Sequence, residues 1–106
     1  VTITEWQREA HRIAVEHGWW EDGDRPIGDV LMLIVTEVAE AMEAHRRGNP
    51  GSRSIPGFSA IEEELADVLI RTFDFAERMG FDLDGAVRAK MDHNESRPYR
   101  HGGKRA

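Results

Sequence analysis

The sequence predicts an all-α fold, a four-helix bundle held in a single domain spanning residues 1–106. Three observations lead there. Four segments set apolar residues at helical spacing, short stretches dense in glycine and proline separate them, and runs of β-branched residues are few. The chain's 106 residues suffice for one modest core.

The first helix is expected to start near Thr4, where Thr4 and Gln7 have the spacing of a capping box, and to end at Gly18. Ile3, Trp6, Ala10, Ile13 and Ala14 would line its buried side. A loop from Trp19 to Pro26 follows. The second helix is expected from about Ile27 to Arg47, stopped by Gly48-Asn49-Pro50. It is apolar nearly all round, which predicts a central, buried helix. Gly48 to Gly57 has loop composition. The third helix has Ser59 as N-cap with Glu62 three residues later and stops at Gly80. The fourth starts at Asp82 and finishes before Pro98, because the residue preceding proline is pushed out of helical geometry. Residues 98–106 read as a basic C-terminal tail. A chain this short with so apolar a second helix is expected to complete its bundle by homo-oligomerisation. A homodimer is the minimum assembly and a tetramer, a dimer of dimers, the larger one.

Composition narrows the function. With no cysteine, disulfides and thiolate metal sites are excluded, and a cytoplasmic location is expected. No apolar stretch approaches the roughly 20 residues of a membrane span, and the first residues lack the basic-then-apolar order of a signal peptide. A net charge of −6 argues against coating a nucleic-acid polymer by bulk electrostatics. The charge is uneven, however. From Arg88 onward six Lys and Arg face only Asp92 and Glu95.

Two acidic pairs of matching spacing carry the chemistry. Glu37 and Glu40 lie in VLMLIVTEVAEAMEA, and Glu64 and Asp67 lie in IEEELADVLIRTF. Carboxylates three apart share a helix face, where like charges repel. At about 100° per residue, Glu37 falls within the stripe of Val30, Leu33, Ile34, Ala41 and Ala44, with Glu40 at its border. Glu64 falls among Ile61, Val68 and Phe75, with Asp67 beside it, Arg71 one turn beyond and Glu63 on the flank. Unpaired carboxylates on apolar faces are costly unless paired, protonated or metal-bound. Hard oxygen ligands in this number suit Mg²⁺, with Mn²⁺ as a substitute. A di-iron site built on Glu-x-x-His is excluded, since none of the five histidines has a glutamate three residues before it. The histidines read most simply as surface residues.

These pairs, together with Lys90-x-x-x-Asn94-x-x-Arg97-Pro98-Tyr99-x-His101-Gly102-Gly103-Lys104, resemble the MazG-like all-α nucleoside triphosphate pyrophosphohydrolases of small phage and bacterial type, over essentially the whole chain. The resemblance implies cleavage of a nucleoside triphosphate into monophosphate and pyrophosphate, Mg²⁺ held by Glu37, Glu40, Glu64 and Asp67, and assembly as dimers or tetramers. Many members begin the first motif with two adjacent glutamates where this chain has Thr36 before Glu37. The water-activating base therefore stays open between Glu40 and Glu63. Lys90, Asn94 and Arg97 share one face of the fourth helix and are the expected phosphate and sugar contacts, unless that face is simply a solvated basic helix end. Lys104 would wrap phosphate beside its glycines. Trp20, with Trp19, is the candidate base-stacking residue, although large aromatics more often pack between a loop and a core. The rival readings are a non-catalytic helical dimerisation or adaptor module, and a phosphohydrolase of a phosphoribosyl nucleotide, against which the HGGK tail weighs.

Overall fold

The computed structural model describes residues 1–99, which form four α-helices in the expected order: α1 (Ile3–Glu16), α2 (Ile27–Arg46), α3 (Ala60–Met79) and α4 (Leu83–Ser96). Among the described residues there is no β-strand, only an isolated antiparallel bridge between Gly51 and Ser59. Among the described residues no helix is long and apolar enough to cross a membrane.

The capping signals locate the helix starts, with one correction. Thr2, not Thr4, caps α1. Its hydroxyl accepts from the Glu5 backbone N–H at 3.1 Å, and the Glu5 carboxylate accepts from the Thr2 N–H at 3.2 Å. Both pairs have the right spacing, but Glu5 also sets a negative charge at the positive end of the helix. Gln7 is engaged elsewhere: it is buried, and its Nε2 donates to Glu77 Oε1 at 3.1 Å and to the Phe81 carbonyl at 3.0 Å. The helix also ends at Glu16, short of Gly18. At α3 the Ser59/Glu62 box is present, and Gly80 closes the helix in the left-handed conformation (φ +72°) that a side chain rarely adopts. Asp82 caps α4 by accepting from the Gly85 N–H at 2.9 Å.

Helices α2 and α3 run antiparallel. Arg78 Nε donates to Asp24 Oδ1 at 2.8 Å near one end, Arg71 Nε to Glu37 Oε1 at 2.8 Å midway, and the Ile61 N–H to Asn49 Oδ1 at 2.9 Å at the other end. On its other side α3 packs against α1, through Gln7 to Glu77 and His11 to Asp74. α4 leans on α1. The spatial order is therefore α2, α3, α1, α4.

This order corrects the expectation of a central α2. Within one chain α3 holds the centre and α2 is an edge helix. Val30, Ala41 and Ala44 of α2 are buried, while Leu31, Met32, Val35, Val38 and Met42 are 43–58% exposed. On α1, Ala10 is buried as expected, but Trp6 and Ile13 stay about half exposed. The buried apolar residues are Trp20, Val30 and four alanines, Ala10, Ala41, Ala44 and Ala76. Alanine lets helices approach closely but removes little apolar area from water, so the core within one chain is thin.

Candidate functional site

Close approach of α2 and α3 sets Glu37 opposite Glu64 and Asp67. Carboxylate oxygens of all three lie within 4.8 Å of one another, each residue half-buried. Charges this close cannot all ionise freely. Burial pushes the Glu64 carboxyl up to about 7, helped by a hydrogen bond with Glu37 and by the charges of Asp67, Glu37 and Glu63. Asp67 is raised by burial and by Glu37 and Glu63, with Arg71 opposing.

Because the folded state holds the Glu64 proton more tightly than the unfolded chain, this group's contribution to stability is fully present below pH about 4.5 and is lost as pH rises towards 7. In chelator-treated protein, Glu64→Gln is expected to flatten that part of the melting-temperature profile. An unchanged slope between pH 4.5 and 7 would remove Glu64 as its source.

The donor set fits a hard divalent cation, since three carboxylates converge with no competing nitrogen or sulfur ligand among them. Glu40 stands outside this trio. It is exposed and has no hydrogen-bond partner among the described residues. Glu63 is half-buried, and Ser52 Oγ, from the loop before α3, donates to its Oε1.

A groove of about 780 Å³ opens beside the carboxylates, between α1, α3 and the loop after α1. Glu37, Asp67 and Arg71 line it, together with Trp6, Ile13 and Trp19. Arg25 reinforces Trp19, its guanidinium carbon lying 4.0 Å from the ring centroid and its Nη2 donating to the Trp19 carbonyl at 2.9 Å. Trp20 turns the other way. It is buried, its Nε1 donates to Asp74 Oδ1 at 3.0 Å, and Arg78 covers its ring. That is a packing position, and of the two tryptophans Trp19 is the one that lines the groove.

Some of the organisation was not apparent from the sequence. His11 is not a surface residue: it is half-buried, with Nδ1 2.7 Å from Asp74 Oδ1. Asp74 thus receives both His11 and Trp20 and ties the Trp19-Trp20 loop to the helices. The detectable signal was Asp74 itself, an acid seven residues after Asp67 and hence two turns along the same face. The pairing of Arg71 with Glu37 had a weaker signal, Arg71's position one turn beyond Asp67.

The basic residues of α4 stand apart within one chain. Lys90 and Asn94 are exposed and Arg97 is half-buried at the C-cap. None of the three lines the groove. Lys104 lies outside the described residues.

A family model described as the MazG nucleotide pyrophosphohydrolase domain matches residues 29–101. The chain is similar to dCTP pyrophosphatase 1 of Mus musculus, 38% identical over 74% of this chain and 48% of that protein. It is similar also to dCTP pyrophosphatase 1 of Homo sapiens, at 39% identity with the same shares covered. The chain thus spans about half the length of the curated relatives it matches. No solved structure gives a significant match.

Proposed function

The chain belongs to the MazG nucleotide pyrophosphohydrolase family, and from that premise we propose that it hydrolyses (deoxy)nucleoside triphosphates to the monophosphate and pyrophosphate, in the manner of a house-cleaning enzyme of the nucleotide pool. The observation that carries this reading is the convergence of Glu37, Glu64 and Asp67 beside a nucleotide-sized groove. These carboxylates would hold Mg²⁺, or Mn²⁺ in its place, with Glu40 a further ligand supplied from the border of the α2 stripe. The ion supplies charge neutralisation at the phosphates and a more acidic bound water.

The chain's own side chains do the rest. Trp19, braced by Arg25, gives the nucleoside an aromatic wall. Glu63, oriented by Ser52 and close enough to raise both Glu64 and Asp67, is the favoured proton acceptor from water. Lys90, Asn94 and Arg97 would reach a phosphate only from a neighbouring subunit or after α4 moves.

The test is a panel of nucleoside triphosphates with Mg²⁺, led by dCTP because the two mammalian relatives carry that name. Products are scored as pyrophosphate against orthophosphate. Pyrophosphate with monophosphate is the expected result; orthophosphate with diphosphate would sink the reading, and no turnover with metal bound would favour the adaptor alternative. In the same assay Glu63→Gln should lose more turnover than Glu40→Gln.

The assembly follows from the exposed side of α2. Leu31, Val35, Val38 and Met42, at spacings of four, three and four, form a coiled-coil-like seam that a second copy of the chain would cover. The protein is therefore expected to run as a homodimer, or as a tetramer built from two such dimers. A charge placed in the seam by Val38→Glu should dissociate it, read as a halved mass in light scattering or as a melting temperature that no longer depends on concentration. An unchanged mass would place the interface elsewhere.

A further inference from the structure

Arg71 touches both the carboxylate cluster and the aromatic wall of the groove. Its Nε donates to Glu37 Oε1 at 2.8 Å, and its guanidinium carbon lies 5.0 Å from the centroid of the Trp19 ring. The side chain is about one-third exposed and lines the groove. The four N–H groups on Nη1 and Nη2 have no hydrogen-bond partner among the described residues. A guanidinium fixed at Nε by a carboxylate and flanked by an indole has lost most of its rotational freedom. What it still offers is a two-pronged donor edge, whose geometry matches two oxygens of one phosphate.

We propose that Arg71 is a substrate-binding residue that grips the phosphate remaining with the nucleoside, the α-phosphate, from beside the carboxylates. This rests on the triphosphate reading above. The assignment to the α-phosphate follows from position. Arg71 stands one helical turn from Asp67, where a cation and the polyphosphate would sit, and against Trp19, where the nucleoside would sit. The phosphate joining those two parts of the ligand is the α-phosphate. Arg71 also restrains Glu37, so a change at this residue must be read on ligand and cation separately.

The experiment compares wild type, Arg71→Lys and Arg71→Met, with folding of each checked by helical circular dichroism. Calorimetry measures binding of an α,β-methylene nucleoside triphosphate, a nucleoside monophosphate and pyrophosphate, each with Mg²⁺. Electron paramagnetic resonance measures Mn²⁺ binding without nucleotide. Arg71→Met is expected to weaken the triphosphate analogue and the monophosphate by about tenfold to a hundredfold, the size of a lost charge-assisted pair. Pyrophosphate and Mn²⁺ should stay within about threefold, and Arg71→Lys should recover part of the loss because it restores charge without the fork. Equal losses of Mn²⁺ and nucleotide would overturn the proposal by showing that Arg71 acts through Glu37 alone. A loss confined to pyrophosphate would overturn the assignment to the α-phosphate. Failure of the wild type to bind or cleave any triphosphate would defeat the pyrophosphohydrolase reading itself, an outcome separable from the other two.

Discussion

Asp67→Asn is expected to lower metal-dependent turnover by about two to three orders of magnitude, while raising the melting temperature of the metal-free protein. The first effect follows from losing a charged oxygen ligand, since a catalytic divalent ion supplies several kcal/mol of charge stabilisation. The second has the opposite sign because of the cluster's electrostatics. Asp67 is half-buried beside Glu37 and Glu63, and burial first, then those two charges, raises its carboxyl. Asparagine keeps the shape and removes the repulsion, so the folded state gains when no cation is present. Melting in chelator at pH 8 and turnover in Mg²⁺ should move in opposite directions. Both moving down together would mean that Asp67 supports the fold rather than the site.

Asp74→Ala should cost about 3 kcal/mol of stability, on the order of 10–20 °C in melting temperature for a chain this size. Asp74 is 7% exposed, and its carboxylate serves both the Trp20 indole N–H and His11. Truncation leaves a buried donor without an acceptor and opens space beneath the Trp20 ring. Asp74→Asn keeps one carbonyl oxygen for the indole and should lose about half as much. Activity should fall with stability, because the loop that Asp74 secures also carries Trp19. Urea unfolding followed through tryptophan fluorescence measures the difference, and a loss under 1 kcal/mol for the alanine variant would show that water replaces the carboxylate.

The helices were legible because their punctuation is local. Ser59 with Glu62, Gly80, and Asp82 ahead of the fourth helix act within one turn, so sequence spacing alone locates them. Thr2 with Glu5 and Thr4 with Gln7 satisfy the same local rule. A tertiary contact, Gln7 with Glu77 and Phe81, decided between them. Angular placement put Glu37 and Glu64 on inward faces, with Glu40 and Asp67 beside them as the rest of the expected ligand set, and the structure brings three of the four together. Angles could not report that α2 packs on one side only, which leaves Glu40, 60° from Glu37 around the helix, on the solvent side of a single chain. For the same reason the apolar character of α2 reads as burial when, within one chain, much of it is an exposed face. The pairings Arg71 with Glu37 and His11 with Asp74 span 34 and 63 residues, beyond the reach of any periodic pattern.

The loop between α2 and α3 is secured near both ends. The Ala60 N–H donates to the Pro50 carbonyl at 2.7 Å, the Ser52 N–H to the Phe58 carbonyl at 2.8 Å, and Asn49 caps the Ile61 N–H. From within it Ser52 reaches Glu63, while residues 53–57 are exposed. In a chain without a native cysteine, this makes Ser54 a natural point for a single thiol-linked fluorophore. Such a dye would hang from a stiff support two residues from a direct hydrogen bond to the acidic centre, and would report ligand arrival optically without entering the groove.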